Sequence, residues 1–163
     1  MIGNSGHSYQ ERIKTIKNDG EYLFEKFCME NACRFDRIGF DEHQRNVPNY
    51  WRLSDPLRNL PDYVINTHDD KTFVVCVKGT DKLKRNEYTL LPLLQDLFGS
   101  EEAPLMYAFC FKENDRPIWK NPDQIIDLYR DAHDEMWHDG VIYRNLKLRI
   151  EHDSSGLANA QFI

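Results

Sequence analysis

The segment Lys71–Lys84, with the sequence KTFVVCVKGTDKLK, decides the fold. Its first half is rich in β-branched and aromatic residues and apolar at successive positions, which is typical of a strand covered on both faces. Lys78 ends this apolar run, and Cys76 precedes it by two positions. Because strand side chains alternate between faces, we expect Cys76 and Lys78 to point to the same side of the sheet.

A shorter strand is predicted just before this segment, over Pro61–Asn66, with the sequence PDYVIN. The four residues THDD that follow favour a turn, since aspartate side chains readily hydrogen-bond nearby backbone groups. The two strands therefore predict a β-hairpin whose second strand is central in a sheet. Such a hairpin would bring Asp62 close to Cys76 and Lys78.

Helices and further strands surround the hairpin. Apolar spacing predicts a helix over residues 21–35, and turn-forming composition makes 36–59 an irregular segment with one short strand. Later elements are a helix over Thr89–Phe98, a strand over 104–111, a helix from Asn121 to Gly140 and a strand over 143–150. The order α, β-hairpin, α, β, α, β predicts an α/β fold, with a mixed sheet flanked by helices on both faces.

The length of 163 residues fits one domain with a substantial core. We expect an N-terminal extension over 1–19, a single domain over 20–152 and a tail over 153–163. A net charge of −6 requires any nucleic-acid contact to use a local basic patch. No apolar run approaches the roughly 20 residues of a membrane span, and no nucleotide-binding glycine motif is present.

The cysteines and the N-terminus indicate a cytoplasmic protein. The four cysteines have no CxxC spacing, which favours reduced thiols over a disulfide framework or a zinc site. The first 20 residues are polar and do not resemble a signal peptide.

Three stretches resemble the signature of the PD-(D/E)XK nuclease superfamily: GEYLFEKF, PDYV and VVCVKGT, within residues 20 to 111. That signature has a helical Glu, a Pro-Asp pair on one strand, and an acidic residue two positions before a Lys on the paired strand. The resemblance implies a restriction-endonuclease-like αβββαβ core, with a central mixed sheet flanked by helices, as in Holliday-junction resolvases.

The resemblance also implies an activity, namely metal-dependent phosphodiester hydrolysis on DNA by an endonuclease of resolvase or repair type. Its catalytic residues would be Asp62, Lys78 and Glu25. Asp62 would be the main ligand of Mg²⁺ or Mn²⁺, and Glu25 and Glu21 would complete the shell, because hard cations prefer oxygen ligands. Lys78 would orient the attacking water and stabilise the developing negative charge.

Basic residues after the strand are candidates for holding a DNA backbone: Lys82, Lys84 and Arg85. Gln95, on the following helix, is a further candidate DNA contact. The alternative is a solvated loop whose charges protect a strand end. The implied partner is double-stranded or branched DNA. Members of this superfamily are commonly dimers, so a homodimer is a second expectation, without a membrane or a nucleotide cofactor.

Cys76 departs from the signature, because it stands where the second acid belongs and a thiol is a poor Mg²⁺ ligand. Three hypotheses remain open. The acid has moved to another element, with Glu25, Glu21, Asp69 or Asp81 as candidates. Alternatively, the protein keeps the fold and binds nucleic acid or a protein without cutting. The third hypothesis is an unrelated α/β interaction domain in which Cys76 is a core residue.

Weaker signals favour structural roles. The loop sequence DEH, at 41–43, could supply ligands near the site, although solvated side chains are the more common case. His133 and His138 are five apart and do not share a helix face, which argues against a metal site. Trp51, Trp119 and Trp137 are more often core or rim residues than base-stacking platforms.

Overall fold

A computed structural model describes residues 19–39 and 52–149 of the chain. Within them the helices are α1 Asp19–Glu30, α2 Asp55–Arg58, α3 Arg85–Phe98 and α4 Pro122–Asp131. The strands are β1 Arg34–Arg37, β2 Tyr63–Asn66, β3 Thr72–Lys78, β4 Lys82–Lys84, β5 Leu105–Phe109, β6 Ile118–Lys120, β7 Asp134–Met136 and β8 Ile142–Asn145. The expected N-terminal extension, except Asp19, and the expected tail lie outside the described residues, as does the loop at 41–43.

The main sheet has five strands in the order β1-β2-β3-β5-β6. The predicted hairpin is confirmed, since β2 pairs antiparallel with β3, with Tyr63 opposite Val75. β3 runs parallel to β5, and the remaining neighbours are antiparallel. A smaller antiparallel sheet has the order β4-β8-β7. The predicted mixed α/β sheet, with helices on both faces, is therefore confirmed at this level.

Alternation along the strands builds a separate core on each face of the main sheet. On one face, Phe24 and Phe27 of α1 pack with Tyr63 and Val75. The opposite face carries α3 and α4. Their buried side chains Leu91, Leu94 and Ile125 pack with alternate strand residues: Val74, Cys76, Leu105 and Tyr107. The face of the main sheet on which a side chain lies thus determines which helices it can contact.

Helix α3 begins four residues earlier than predicted, at Arg85 rather than Thr89. Glu87 caps the helix, because its carboxylate oxygen Oε2 accepts the backbone N–H of Lys84 at 3.0 Å. Thr89 lies inside the first turns, where its hydroxyl donates to the carbonyl of Arg85 at 2.9 Å. The predicted end at Gly99 is confirmed by the N–H bond from Gly99 to the carbonyl of Gln95.

The predicted helix from Asn121 to Gly140 is too long. Its start is confirmed, since Asn121 and Gln124 form reciprocal capping bonds of 2.8 and 2.9 Å. The helix ends at Asp131, and Asp134–Met136 pairs as β7 with β8. Gly140, at a φ of 86°, turns the chain between these strands. The last predicted strand is correspondingly displaced, to Ile142–Asn145.

The small sheet joins the rest of the molecule through β4. Leu83 is 1% exposed and belongs to the core beneath α3 and α4. β4 follows directly on the turn after Lys78 and leads into α3 at Arg85. Strand β4 therefore fixes where α3 starts relative to the end of β3. No helix in the described ranges is long and apolar enough to cross a membrane.

Candidate active site at the end of the β2–β3 hairpin

Asp62 lies immediately before β2, and the backbone around it holds it in place. Its N–H donates to the carbonyl of Val75 at 2.9 Å, and its own carbonyl accepts the N–H groups of Ile38 and Gly39. Its side-chain oxygen Oδ2 accepts the N–H of Val77 at 2.6 Å. A Cβ at Gly39 would approach the Asp62 Cα to 3.1 Å, so the loop after β1 passes close to the site.

The electrostatic surroundings of Asp62 disfavour its charge. Burial raises the pKa of this carboxyl above its ordinary value, although Lys78, the Val77 N–H and Arg37 each oppose the increase. Desolvation of a carboxylate is relieved when a cation binds to it. Binding of a cationic ligand to the Asp62 carboxylate would therefore be favourable.

Lys78 ends β3 and forms an ion pair with Glu87 in the first turn of α3. The ammonium Nζ lies 2.5 Å from the carboxylate Oε1, and the side chains are 22% and 17% exposed. Burial alone would lower the pKa of Lys78, but attraction to Glu87 and Asp62 raises it above its usual value. Burial likewise opposes ionisation of Glu87, but Lys78 and the Lys84 N–H hold its pKa below its usual range. Both groups are therefore charged at neutral pH.

Sequence reasoning missed Glu87 as a site residue. The available signal was a Glu three positions after the residue that precedes a helix, which is the pattern of a capping box. Lys84 is not a usual N-cap residue, so the predicted helix start fell at Thr89 and left Glu87 in a loop. The true start places Glu87 beside Lys78 and Asp62, since the charge of Glu87 also acts on Asp62.

Cys76 lies on the same face as Lys78, opposite Asp62 across the hairpin. The thiol hydrogen-bonds the hydroxyl of Tyr107, the residue that pairs with Cys76 on β5. Burial, together with the nearby Asp62 carboxylate, raises the pKa of Cys76 to about 12. At neutral pH the side chain is a protonated thiol in the core beneath α3.

The two acids on α1 lie on the other face of the main sheet. Glu25 is 1% exposed and accepts a hydrogen bond from the Tyr63 hydroxyl at 2.8 Å. Glu21 forms an ion pair with Arg37 of β1, with a contact of 3.0 Å. Arg37 in turn attracts Asp62. The structure thus joins Glu21 to the site through Arg37, and it places Glu25 in the core beside Tyr63.

Comparisons of this chain with family models, curated proteins and solved structures found no match. The chemistry of the site is therefore argued from its own geometry. Within the described ranges, no three His, Cys, Asp or Glu side chains are grouped so as to hold a metal ion. The carboxylates that act on the charge of Lys78 are that of Glu87, in direct contact, and that of Asp62.

The other candidate acids do not reach this group. Asp69 lies at the far end of the hairpin, where it pairs with Lys71 at 2.8 Å. Its pKa is lowered to about 2 by hydrogen bonds from Lys71 and Thr67. Asp81, 7% exposed, lies in the turn between β3 and β4, and its carbonyl accepts the N–H of Leu146.

The predicted DNA-contacting residues separate into two groups. Lys82 and Lys84 project from β4, next to the site, and their ammonium groups lie over aromatic rings. Arg85 is exposed but pairs with Asp134 of β7 at 2.5 Å. Gln95 lies further along α3 than Glu87 by about 12 Å at the helical rise. Lys82 and Lys84 therefore lie on the strand that follows the turn after Lys78.

Two tryptophans fall within the described residues. Trp119 is 5% exposed and packs against Phe24 and Phe27 in the α1 core. Trp137 is half-buried and lies in the turn after β7. His133 and His138 are both exposed. Trp51 lies outside the described residues.

Proposed function

We propose that this protein is a metal-dependent DNA endonuclease of the PD-(D/E)XK type. The observation that carries the proposal is the joint placement of Asp62, Lys78 and Glu87 at the end of one hairpin. A lysine that is paired with one carboxylate and attracted to a second provides both the ligands and the cation that phosphodiester hydrolysis requires.

The topology supports the same proposal. The elements α1, β1, β2, β3, α3 and β5 follow one another in the αβββαβ order of that superfamily's core. Pro61 and Asp62 precede the first hairpin strand, and Lys78 ends the second, as the signature requires. The short α2 and β4 are additions to this order.

The ligand chemistry fits a hard divalent cation. Mg²⁺ takes oxygen ligands and retains several waters, so two carboxylates are a sufficient protein contribution. Asp62 and Glu87 would hold the ion, whereas the protonated thiol of Cys76 would not. When bound, such an ion neutralises phosphate charge and lowers the pKa of an attached water.

Asp62, Glu87 and Lys78 would then each have a separate role in the reaction. Asp62 would hold a ligand through Oδ1, since Oδ2 already accepts the Val77 N–H. Glu87 would exchange its contact with Lys78 for a contact with the ion. The released ammonium of Lys78 would then face the scissile phosphate, where a positive charge favours the pentavalent transition state. Glu87, rather than Glu25, is our candidate for the displaced second acid.

A second candidate function is DNA binding without cleavage by a lapsed relative. The observation that favours it is the ion pair between Lys78 and Glu87. That pair satisfies both residues within the protein, with Cys76 at the position of the usual acid. The site would then be a structural remnant, and its charges would stabilise the fold alone.

The experiment is a cleavage assay with Mg²⁺ or Mn²⁺ on linear duplex, branched and single-stranded DNA. We expect Asp62→Ala, Lys78→Ala and Glu87→Gln each to lower the cleavage rate by about 100-fold or more. Loss of activity in Glu25→Gln, with Glu87→Gln fully active, would refute the assignment of Glu87.

The matched control is the exposed ion pair at the other end of the hairpin, between Asp69 and Lys71. Asp69→Asn and Lys71→Ala remove one negative and one positive charge from the turn of the same hairpin, so they should leave the cleavage rate unchanged. If the wild type cuts no DNA with either metal, but binds DNA in a salt-sensitive manner, the non-cleaving function is correct.

A further inference from the structure

Two aromatic side chains and two lysines form a continuous surface on the small sheet. The rings of Trp137 and Tyr143 are stacked, with centroids 4.6 Å apart and planes at 25°. Lys82 lies over the Tyr143 ring at 5.0 Å, and Lys84 lies over the Trp137 ring at 5.8 Å. We call these four residues the stacking surface.

The lysines of this surface keep their charge available. Neither Lys82 nor Lys84 forms an ion pair within the part of the chain that the structure describes. By contrast, Arg85 and Arg144 both pair with Asp134 on the neighbouring strand. An ammonium held over an aromatic ring remains a full positive charge, which a phosphate can approach. The carboxylates of the same sheet have other partners, since Asp134 pairs with the two arginines and Glu135 accepts the Tyr143 hydroxyl. The two lysines can therefore contact a polyanionic partner.

The aromatic rings are fixed in place before any ligand binds. The Tyr143 hydroxyl donates to the carboxylate of Glu135 at 2.8 Å, and Tyr143 is 6% exposed. Trp137 is the outer ring of the pair. Its backbone N–H donates to the carbonyl of Val141 at 3.0 Å across the turn, and its indole is held by stacking on Tyr143. A rigid, partly exposed indole loses little entropy when a flat ligand stacks on it.

One residue connects this surface to the candidate active site. The backbone N–H of Lys84 donates to Glu87, and the ammonium of the same residue lies over Trp137. A DNA strand that follows β4 would therefore pass from the stacking surface directly to Lys78 and Glu87.

We propose that the stacking surface binds unpaired bases of DNA, so that the substrate carries a single-stranded segment next to the cleaved bond. Bases within a duplex have their faces covered by neighbouring pairs, whereas an unpaired base can take the place of the Lys84 ammonium over the indole, and this ammonium then moves to a flanking phosphate. Lys82 and Lys84 would contact the phosphates that flank this base. The inference rests on the proposed function only for the statement that the DNA is also cut.

The test is equilibrium binding of fluorescein-labelled DNA in the presence of EDTA, which prevents cleavage. The probes are a short oligothymidylate, a blunt duplex, and the same duplex with a single-stranded extension. We expect Trp137→Ala to weaken binding of the oligothymidylate and the extended duplex by about 5- to 100-fold. Binding of the blunt duplex should change by less than about twofold, because its only uncovered base faces are the outer faces of the two terminal pairs.

Further variants separate stacking from charge and from loss of structure. Trp137→Phe keeps an aromatic face and should retain most of the affinity. Lys82→Ala and Lys84→Ala should weaken binding of all three probes and each lower the salt dependence by about one phosphate contact. Tyr22→Ala, on the half-buried face of α1, is the control and should have no effect.

Three outcomes would overturn the inference. Equal affinity of the wild type for the blunt and extended duplexes would show that unpaired bases are not recognised. Equal losses in Trp137→Ala and Tyr22→Ala would show a general loss of structure. Either outcome would remove the stacking proposal. The proposed function would remain if metal-dependent cleavage still required Asp62 and Lys78. Absence of binding to every probe in EDTA would remove the stacking proposal, and the cleavage assay with Mg²⁺ or Mn²⁺ would decide the proposed function separately.

Discussion

The Lys78 ammonium and the Glu87 carboxylate are 2.5 Å apart, and their ion pair joins the end of β3 to the first turn of α3. The same carboxylate accepts the Lys84 N–H, so one side chain both caps a helix and neutralises a partly buried lysine. Glu87 therefore has a structural role besides the catalytic role proposed for it, and its substitution should affect both stability and cleavage.

We expect Glu87→Gln to lower the free energy of unfolding at neutral pH by about 1–3 kcal/mol. Glutamine can still accept the Lys84 N–H, but Lys78 loses its counter-ion in a partly buried place. Because folding lowers the pKa of Glu87, this group contributes to folding stability above pH 4.5. That contribution is lost as the pH falls through the pKa of Glu87 in the folded protein. Urea unfolding across this pH range should show that the unfolding free energies of the wild type and the variant become equal at low pH. Equal stability at neutral pH would contradict the prediction.

Asp62→Asn should have the opposite effect on stability. Because burial raises the pKa of Asp62, this group contributes favourably to folding stability below pH 3.8. That contribution is lost as the pH rises through the pKa of Asp62 in the folded protein. At neutral pH the charged carboxylate therefore costs stability, and the amide should recover about 0.5–2 kcal/mol. The amide oxygen still accepts the Val77 N–H. Thermal unfolding without metal measures the gain, and a less stable variant would show that the charge is compensated.

Cys76→Asp tests whether the site lacks only its usual acid. A second carboxylate beside Asp62 should lower the melting temperature without metal, since like charges repel in a desolvated place. Added Mg²⁺ or Mn²⁺ should raise the melting temperature of the variant more than that of the wild type, because binding stabilises the folded state. Cys76→Ser is the control, and it should show no added response to metal. Equal metal responses of the aspartate and serine variants would refute a preformed site.

Tyr63→Phe examines the role of Glu25. Removing the hydroxyl deprives a carboxylate that is 1% exposed of one donor, so we expect a loss of about 1–3 kcal/mol in unfolding free energy. Tyr143→Phe removes a hydroxyl bond of the same 2.8 Å length to the exposed Glu135, and it should cost less. Chemical denaturation of the two variants gives the comparison. Similar losses would mean that burial does not set the strength of the Tyr63 bond.

The parts of the fold that the sequence predicts are those governed by local pattern. The unbroken apolar run within Lys71–Lys84 is enough to define β3, and the Pro-Asp stretch before it defines the hairpin and the position of Asp62. The capping residues Asn121 and Gln124 fix the start of α4 for the same reason. Each of these signals acts over a few residues, so no knowledge of distant packing is needed.

The parts that the sequence does not predict depend on contacts between distant segments. The sequence pattern predicts a helix that continues through Met136, but residues 134–136 form β7, which pairs with β8. Ion pairs of Asp134 with Arg85 and Arg144 also stabilise this strand. Strand β4 is only three residues long and exists through its pairing with β8. Since β4 sets the start of α3, the place of Glu87 could not be deduced from its neighbours alone.

Lys84 has a consequence for how ligands at the two sites would affect each other. Its backbone holds Glu87, and its side chain rests on Trp137, so a ligand that displaces the ammonium alters the capping contact of the carboxylate. Thermodynamic linkage then requires reciprocity: if a base stacked on Trp137 tightens metal binding, the metal tightens binding of the base by the same factor. A cut strand that leaves either site would loosen the other, which would make product release cooperative.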